Sequence, residues 1–166
     1  MGSSTLGFVV IVILYATVGV MAAAGAVFIT QKMLRPKGEQ VFYALFLVLI
    51  AAFYLAFGAY FESASAWRTE TTAVMAFALI GLIGVRLPIA LMIGYPLHGF
   101  WDLLHELSAH GTRVGFEPEQ LTAVPLAYGV FCAAFDVCIA VYAWMRRAEW
   151  AAGWEAPRVK AAEPVP

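Results

Sequence analysis

Charge is scarce in this chain. Of its 166 residues only 13% are Asp, Glu, Lys or Arg, 63% are hydrophobic, and the mean hydropathy is +0.82. A soluble domain carries about a quarter charged residues, so the composition excludes an ordinary soluble protein and leaves room for one compact membrane bundle. Cysteine is nearly absent too. Cys132 and Cys138 lie on one predicted helix, where six residues turn about 240°, so they point apart and cannot bridge. The opening MGSSTLG has no Lys or Arg, and no small-residue cleavage site follows a short apolar core. No cleaved signal peptide is expected, and the first apolar run is expected to stay as a helix. Gly2 suits myristoylation, but the sixth residue is Leu and the expected N-terminus is outside, which removes that motif. There is no phosphate-cradling Gly loop, no trustworthy Ser–His–Asp order, no CxxCH, no basic nucleic-acid face and no internal repeat.

What is present is a series of long apolar runs. A bilayer core takes about 20 apolar residues per helix, and runs over 6–30 and 41–61 each suffice. QKMLRPKGEQ between them is a polar turn with a Pro breaker. The stretch 71–107 is too long for one span. VRLP at 85–88 divides it, because the residue before Pro leaves the helical region and charge is costly in lipid. That predicts spans near 69–85 and 88–107. After an exposed loop over 108–120, a fifth span is expected at 121–145, ending at Arg146 and Arg147, with a mobile cytoplasmic tail over 148–166. With the N-terminus outside, the inside receives Lys32, Arg35, Lys37, Arg86, Arg146, Arg147, Arg158 and Lys160, and the outside keeps only Arg68 and Arg113. Positive charge gathers on the cytoplasmic side. The expected fold is therefore all-α and polytopic, with five transmembrane helices, N-terminus outside and C-terminus inside, in the cell (inner) membrane.

Against that background LHGFWDLLHE, residues 97–106, stands out, with four ionisable groups inside a predicted span. At 100° per residue, Tyr95, His98, Asp102 and His105 fall within a sector about 80° wide. Span five aligns Pro125, Gly129, Cys132, Asp136, Ala140 and Ala143, mostly small residues that let helices approach closely. Span three aligns Glu70 with Ala73, Phe77, Gly81 and Gly84. Span two aligns Tyr54, Gly58 and Glu62. Each acidic residue thus lies on a face rich in small, aromatic or polar residues, taken here as the inward one.

A charged side chain at mid-bilayer costs roughly 2.5–3.5 kcal/mol, so such groups are paired, solvated or functional. No Lys or Arg within the spans can neutralise Asp102 or Asp136. Three readings follow. The imidazoles and carboxylates could ligate a metal, zinc or iron, with His98, Asp102, His105, Asp136 and Glu70 as the donor set. They could form a proton or solute path, or a hydrogen-bond network that only fixes packing. His98 and His105 are about 10.5 Å apart along the helix, too far for one ion to reach both, so Asp102 shares an ion with one histidine, two ions are bound, or Pro96 bends the helix. Tyr95, Trp101, Cys132, Glu62 and Glu106 are supporting candidates, although Glu62 and Glu70 also suit ordinary helix ends. His110 reads as a loop residue. Trp67, Trp101, Trp144 and Trp150 read as interfacial anchors.

YPLHGFWDLLHE, followed about 30 residues on by YGVFCAAFDVCIAVYAW, resembles a family of short bacterial integral membrane proteins of unknown function. That family carries a His, then Trp-Asp, then a second His, and later a Cys-x-x-x-Asp helix. The resemblance covers roughly residues 55–145. It implies that His98, Trp101, Asp102, His105, Cys132 and Asp136, with Glu70, occupy motif positions. Where the family often has a further His directly after the closing one, this chain has Glu106. The resemblance supports a site and assigns no activity.

The sequence therefore suggests an intramembrane His/Asp/Glu site, metal-binding and acting on an apolar or lipid-like substrate. The alternatives are a proton-coupled transport or relay protein and a structural subunit of a larger membrane complex. The expected partner is the lipid bilayer, with a homo-oligomer or larger assembly open and no nucleic acid.

Overall fold

The computed structural model describes residues 2–155, and these form five α-helices with no strand among the described residues. The helices are α1 (Gly2–Met33), α2 (Pro36–Tyr60), α3 (Trp67–Gly84), α4 (Pro88–Ala109) and α5 (Tyr128–Ala152), with one 3-10 turn at Pro118–Gln120. α2 begins at Pro36, five residues before the expected start. Its missing N–H costs nothing in a first turn, and Glu39 adds a carboxylate at the favourable helix end. α3 stops at Gly84 and α4 restarts at Pro88, so the VRLP break divides the helices as expected.

The fifth helix departs from expectation at both ends. It starts at Tyr128 instead of 121, because Pro125 and a left-handed Ala127 (φ 58°) keep residues 121–127 out of the helix. Pro125 therefore lies in the loop and not on the helix stripe. At the other end α5 runs past Arg146 and Arg147 to Ala152. Trp150, expected as an interfacial anchor, is fully buried and donates its indole N–H to Glu39 Oε2 at 2.8 Å. Residues 148–155 of the expected mobile tail are therefore helix and turn; 156–166 lie outside the described residues.

Close helix contacts are made where side chains are smallest. A Cβ at Gly81 would stand 2.7 Å from the carbonyl oxygen of Ala44, so α3 lies almost backbone-to-backbone on α2. Gly19 brings α1 against Phe131 and Ala134 of α5, and Gly99 and Gly129 bring α4 and α5 together. Small residues at such crossings let dispersion contacts hold helices together.

The bundle buries several charged and polar groups within an apolar core and presents apolar side chains outside. Glu39, Glu70, His98, Asp102 and Asp136 are fully buried, whereas Met21, Leu45, Met75, Leu79, Phe100 and Val137 are exposed. α1, α2 and α5 are long and apolar enough to cross a membrane, with mean hydropathies of 2.5, 2.4 and 1.6. α3 and α4 fall short of that measure: the first turns of α3 carry Arg68 and Glu70, and α4 carries the His–Asp–His–Glu run.

Candidate functional site

α4 supplies the spine of the site. Tyr95, His98, Asp102 and His105 recur at intervals of three and four, so all four share one face, and all four are buried. On α5 the stripe Gly129, Cys132, Asp136 and Ala143 is likewise buried, as is Glu70 with Phe77, Gly81 and Gly84 on α3. On α3, α4 and α5 the acid lies on a buried face, as expected from the small and polar residues beside it.

At the deep end three side chains converge. His98 Nδ1 stands 2.8 Å from Asp136 Oδ2 and 3.1 Å from Asp102 Oδ2, and all three side chains have zero exposure. Only the contact to Asp136 is aligned as a hydrogen bond; Asp102 Oδ2 has none. One ring nitrogen carries at most one hydrogen, so it cannot serve two carboxylates at once. The tyrosine hydroxyl of Tyr54, on α2, donates to Asp102 Oδ1. Asp136 Oδ1 and His98 Nε2 meet no hydrogen-bond partner among the described residues. His98, Asp102 and Asp136 each offer one ligand atom, all within 4.8 Å of one another, a donor set of one imidazole and two carboxylates that could hold a metal ion.

The second pair lies one to two turns further along α4. His105 Nδ1 is 3.0 Å from the carbonyl oxygen of Trp101, which can only accept, so Nδ1 carries a hydrogen. Its Nε2 lies 2.8 Å from Glu70 Oε1, which also accepts the backbone N–H of Thr122 at 2.8 Å. With Nδ1 already protonated, the contact to Glu70 needs one more proton, on Nε2 or on the carboxyl. Either way the pair is neutral overall. It leaves His105 no free nitrogen for an ion, so the structure separates His105 and Glu70 from the deep cluster. Tyr54 connects the two: its ring lies 4.3 Å from that of His105, while its hydroxyl reaches Asp102.

The supporting candidates divide. Trp101 packs edge-on against His105, with ring centroids 5.1 Å apart. Cys132 is buried one turn from Asp136 on the same face. Tyr95 turns away and donates to the carbonyl of Tyr43 at 2.8 Å, pinning α4 to α2. Glu106 Oε2 accepts the Gly129 N–H at 3.1 Å, so it caps the first turn of α5; its other oxygen faces His110 at 3.1 Å. Glu62 lies past the end of α2 in a left-handed turn (φ 54°), exposed and away from the cluster.

Sequence reasoning overlooked one buried acid, Glu39. Glu39 accepts from Tyr142, from Arg146 Nη2 at 3.1 Å and from Trp150 Nε1 at 2.8 Å, with Thr30 and Tyr43 beside it. Every polar atom of that carboxylate is satisfied, which marks it as a brace for the end of the bundle carrying the α1–α2 turn. Tyr54 had been aligned with an inward face but given no role, and the Thr122 amide had no sequence signal.

No curated protein and no solved structure matches the chain. Residues 13–149 match the model described as a family of unknown function, DUF6010, and that span takes in both helices of the cluster and most of the bundle: the chain belongs to this family.

Proposed function

We propose that the chain is a five-span membrane protein whose His98–Asp102–Asp136 cluster binds one divalent metal ion and acts there on an apolar, lipid-like substrate. One observation carries this reading: three ligand atoms within 4.8 Å of one another, fully buried, on two helices. Two carboxylates beside one imidazole leave an excess of negative charge that no Lys or Arg among the described residues contacts, and a dication offsets it better than a single proton. One imidazole with two carboxylates is a donor set for zinc or iron, and with iron the reaction would be oxidation of an apolar substrate. With zinc, the reaction would be hydrolysis through an activated water.

The membrane reading draws on surface composition. On α3 and α4, as on the other helices, the outward residues are large and apolar: Met75, Leu79 and Leu82, and Ile89, Ile93 and Phe100. All five helices would then cross, with positive charge placing the α1–α2 turn in the cytoplasm. A protein of this kind resides in the cell membrane.

A second reading, a proton path, draws on two polar groups, Glu70–His105 and Tyr54–Asp102–His98–Asp136, which meet where the Tyr54 ring lies against His105. Its Glu70–His105 end adjoins a cavity of about 310 Å³ lined by His105, Ser108 and Thr122. Elemental analysis of detergent-purified protein separates the readings. Stoichiometric iron or zinc, lost in Asp102→Asn and in Asp136→Asn, supports the metal site. Metal-free protein whose variants lose proton-coupled uptake favours the relay. Unchanged function with only lowered thermal stability leaves a structural subunit.

A further inference from the structure

Between α1 and α2 runs an apolar groove that the site's own chemistry does not use. Two cavities meet at Ala26. One, of about 400 Å³, is lined by Ile29, Met33, Leu34 and Phe42, and the other, of about 300 Å³, by Ala22, Phe46, Ile50 and Phe135. On α1 the lining residues Ala22, Ala26, Thr30 and Met33 recur at helical spacing, and on α2 Phe42, Phe46 and Ile50 do the same. Each helix therefore contributes one continuous stripe. The inner cavity's far wall is Cys132 and Asp136 on α5, so the groove ends against the cluster described above.

From this geometry we infer that the groove holds one hydrocarbon chain of an anionic membrane phospholipid, its headgroup at Lys32 and Arg35 and its chain running to the Asp136 wall. Three observations point to that occupant. The lining is apolar but for Thr30 at one end and Asp136 at the other. From Met33 back to Ala22 the helix rises about 16 Å, close to the ~15 Å of hydrocarbon in one leaflet. A cavity of ~150 Å³ takes up benzene, so the two together have room for well over a dozen carbons. At the open end Lys32 and Arg35 are exposed, and neither forms an ion pair among the described residues. Cations at the membrane surface attract anionic headgroups.

The inference deepens the proposed function, since the lipid would then be the substrate, its chain delivered side-on to the metal cluster. Phe135 lines the groove beside Asp136, 5.7 Å from the ring of Phe46, and Asp136 has zero exposure.

The test uses the full-length protein in nanodiscs with a phosphatidylglycerol bearing a photoreactive diazirine on one acyl chain. A phosphatidylcholine with the same chain serves as the neutral arm. Mass spectrometry is expected to map saturable crosslinks to 22–34, 42–50 and 131–135, with phosphatidylglycerol preferred. Ala26→Phe, which plugs the junction of the cavities, should remove these crosslinks while leaving the metal content unchanged. Should that variant fold poorly, Lys32→Gln with Arg35→Gln leaves the core alone, and it should lower the phosphatidylglycerol preference on the order of tenfold. Labelling spread evenly over all exposed helix faces, or equal for both lipids and unmoved by the double variant, overturns the inference. Metal content measured on the same samples separates the two proposals. Groove labelling without metal defeats the metal site alone, and metal without groove labelling defeats the lipid alone.

Discussion

Gly99 on α4 faces Asp136 on α5 so closely that a Cβ added to the glycine would stand 3.2 Å from the aspartate Cβ and 3.5 Å from its Oδ2. The site is therefore built on a close part of the α4–α5 crossing, and the register of the two helices sets the distance between His98 and Asp136. Gly99→Val is expected to wedge the helices apart at a cost of roughly 1–3 kcal/mol and to weaken metal binding further than that loss of stability implies. Gly25→Ala, where nothing lies within 4 Å of the new Cβ, should leave both unchanged. Thermal unfolding and metal content, measured side by side in one detergent, check this.

Tyr54 is a positioning residue for Asp102. Tyr54→Phe keeps the ring against His105 and removes only the hydroxyl that holds Asp102 Oδ1. Groups that orient a ligating carboxylate are commonly worth about 10–100-fold in metal affinity. The expected result is a loss of that order in a chelator-competition titration, with little change in unfolding temperature. An unchanged titration would remove Tyr54 from the site.

Glu39 braces the opposite end of the bundle. Glu39→Ala leaves the Trp150 N–H and the Tyr142 hydroxyl without their acceptor and Arg146 without its buried partner. The expected destabilisation is roughly 3 kcal/mol, at the low end for a broken buried pair, because Arg146 keeps 20% of its side chain exposed. Metal content should be untouched. Thermal unfolding together with elemental analysis separates this brace from the site.

Helix periodicity made the inward faces legible, because an acid in an apolar segment has to share a face with small or polar neighbours. His98, Asp102, Asp136 and Glu70 were found that way, and all are buried. The division of the donors into a deep cluster and a His105–Glu70 pair was only half legible. Axial separation showed that two histidines could not share an ion, but His105 is tied down by a backbone carbonyl and by the Thr122 amide of a distant loop. Glu39 was missed because a hydrophilic turn reads as exposed. Pro36 was the available clue, since Pro favours the first helical position and would have placed Glu39 in the first turn of α2. The extension of α5 to Ala152 was hidden for a related reason. A paired Arg146 and a buried Trp150 continue a helix that a positively charged segment was expected to end.

The orientation is open to a direct check. Thr112 lies in the exposed α4–α5 loop and Gln31 near the α1–α2 turn, also exposed. In intact cells Thr112→Cys should react with a membrane-impermeant maleimide, and Gln31→Cys only after lysis. The reverse pattern would invert the topology, and reaction of both in intact cells would place the two segments on the same side.

The central claim is that His98, Asp102 and Asp136 hold one ion between them, and X-ray absorption at the metal edge of the purified protein tests it most directly. The account expects a shell of nitrogen and oxygen only, at about 2.0–2.2 Å, with the outer-shell pattern of one imidazole that disappears in His98→Ala. A sulfur neighbour at about 2.3 Å would move the ion to a cysteine, and either that spectrum or a protein that carries no metal would contradict the account.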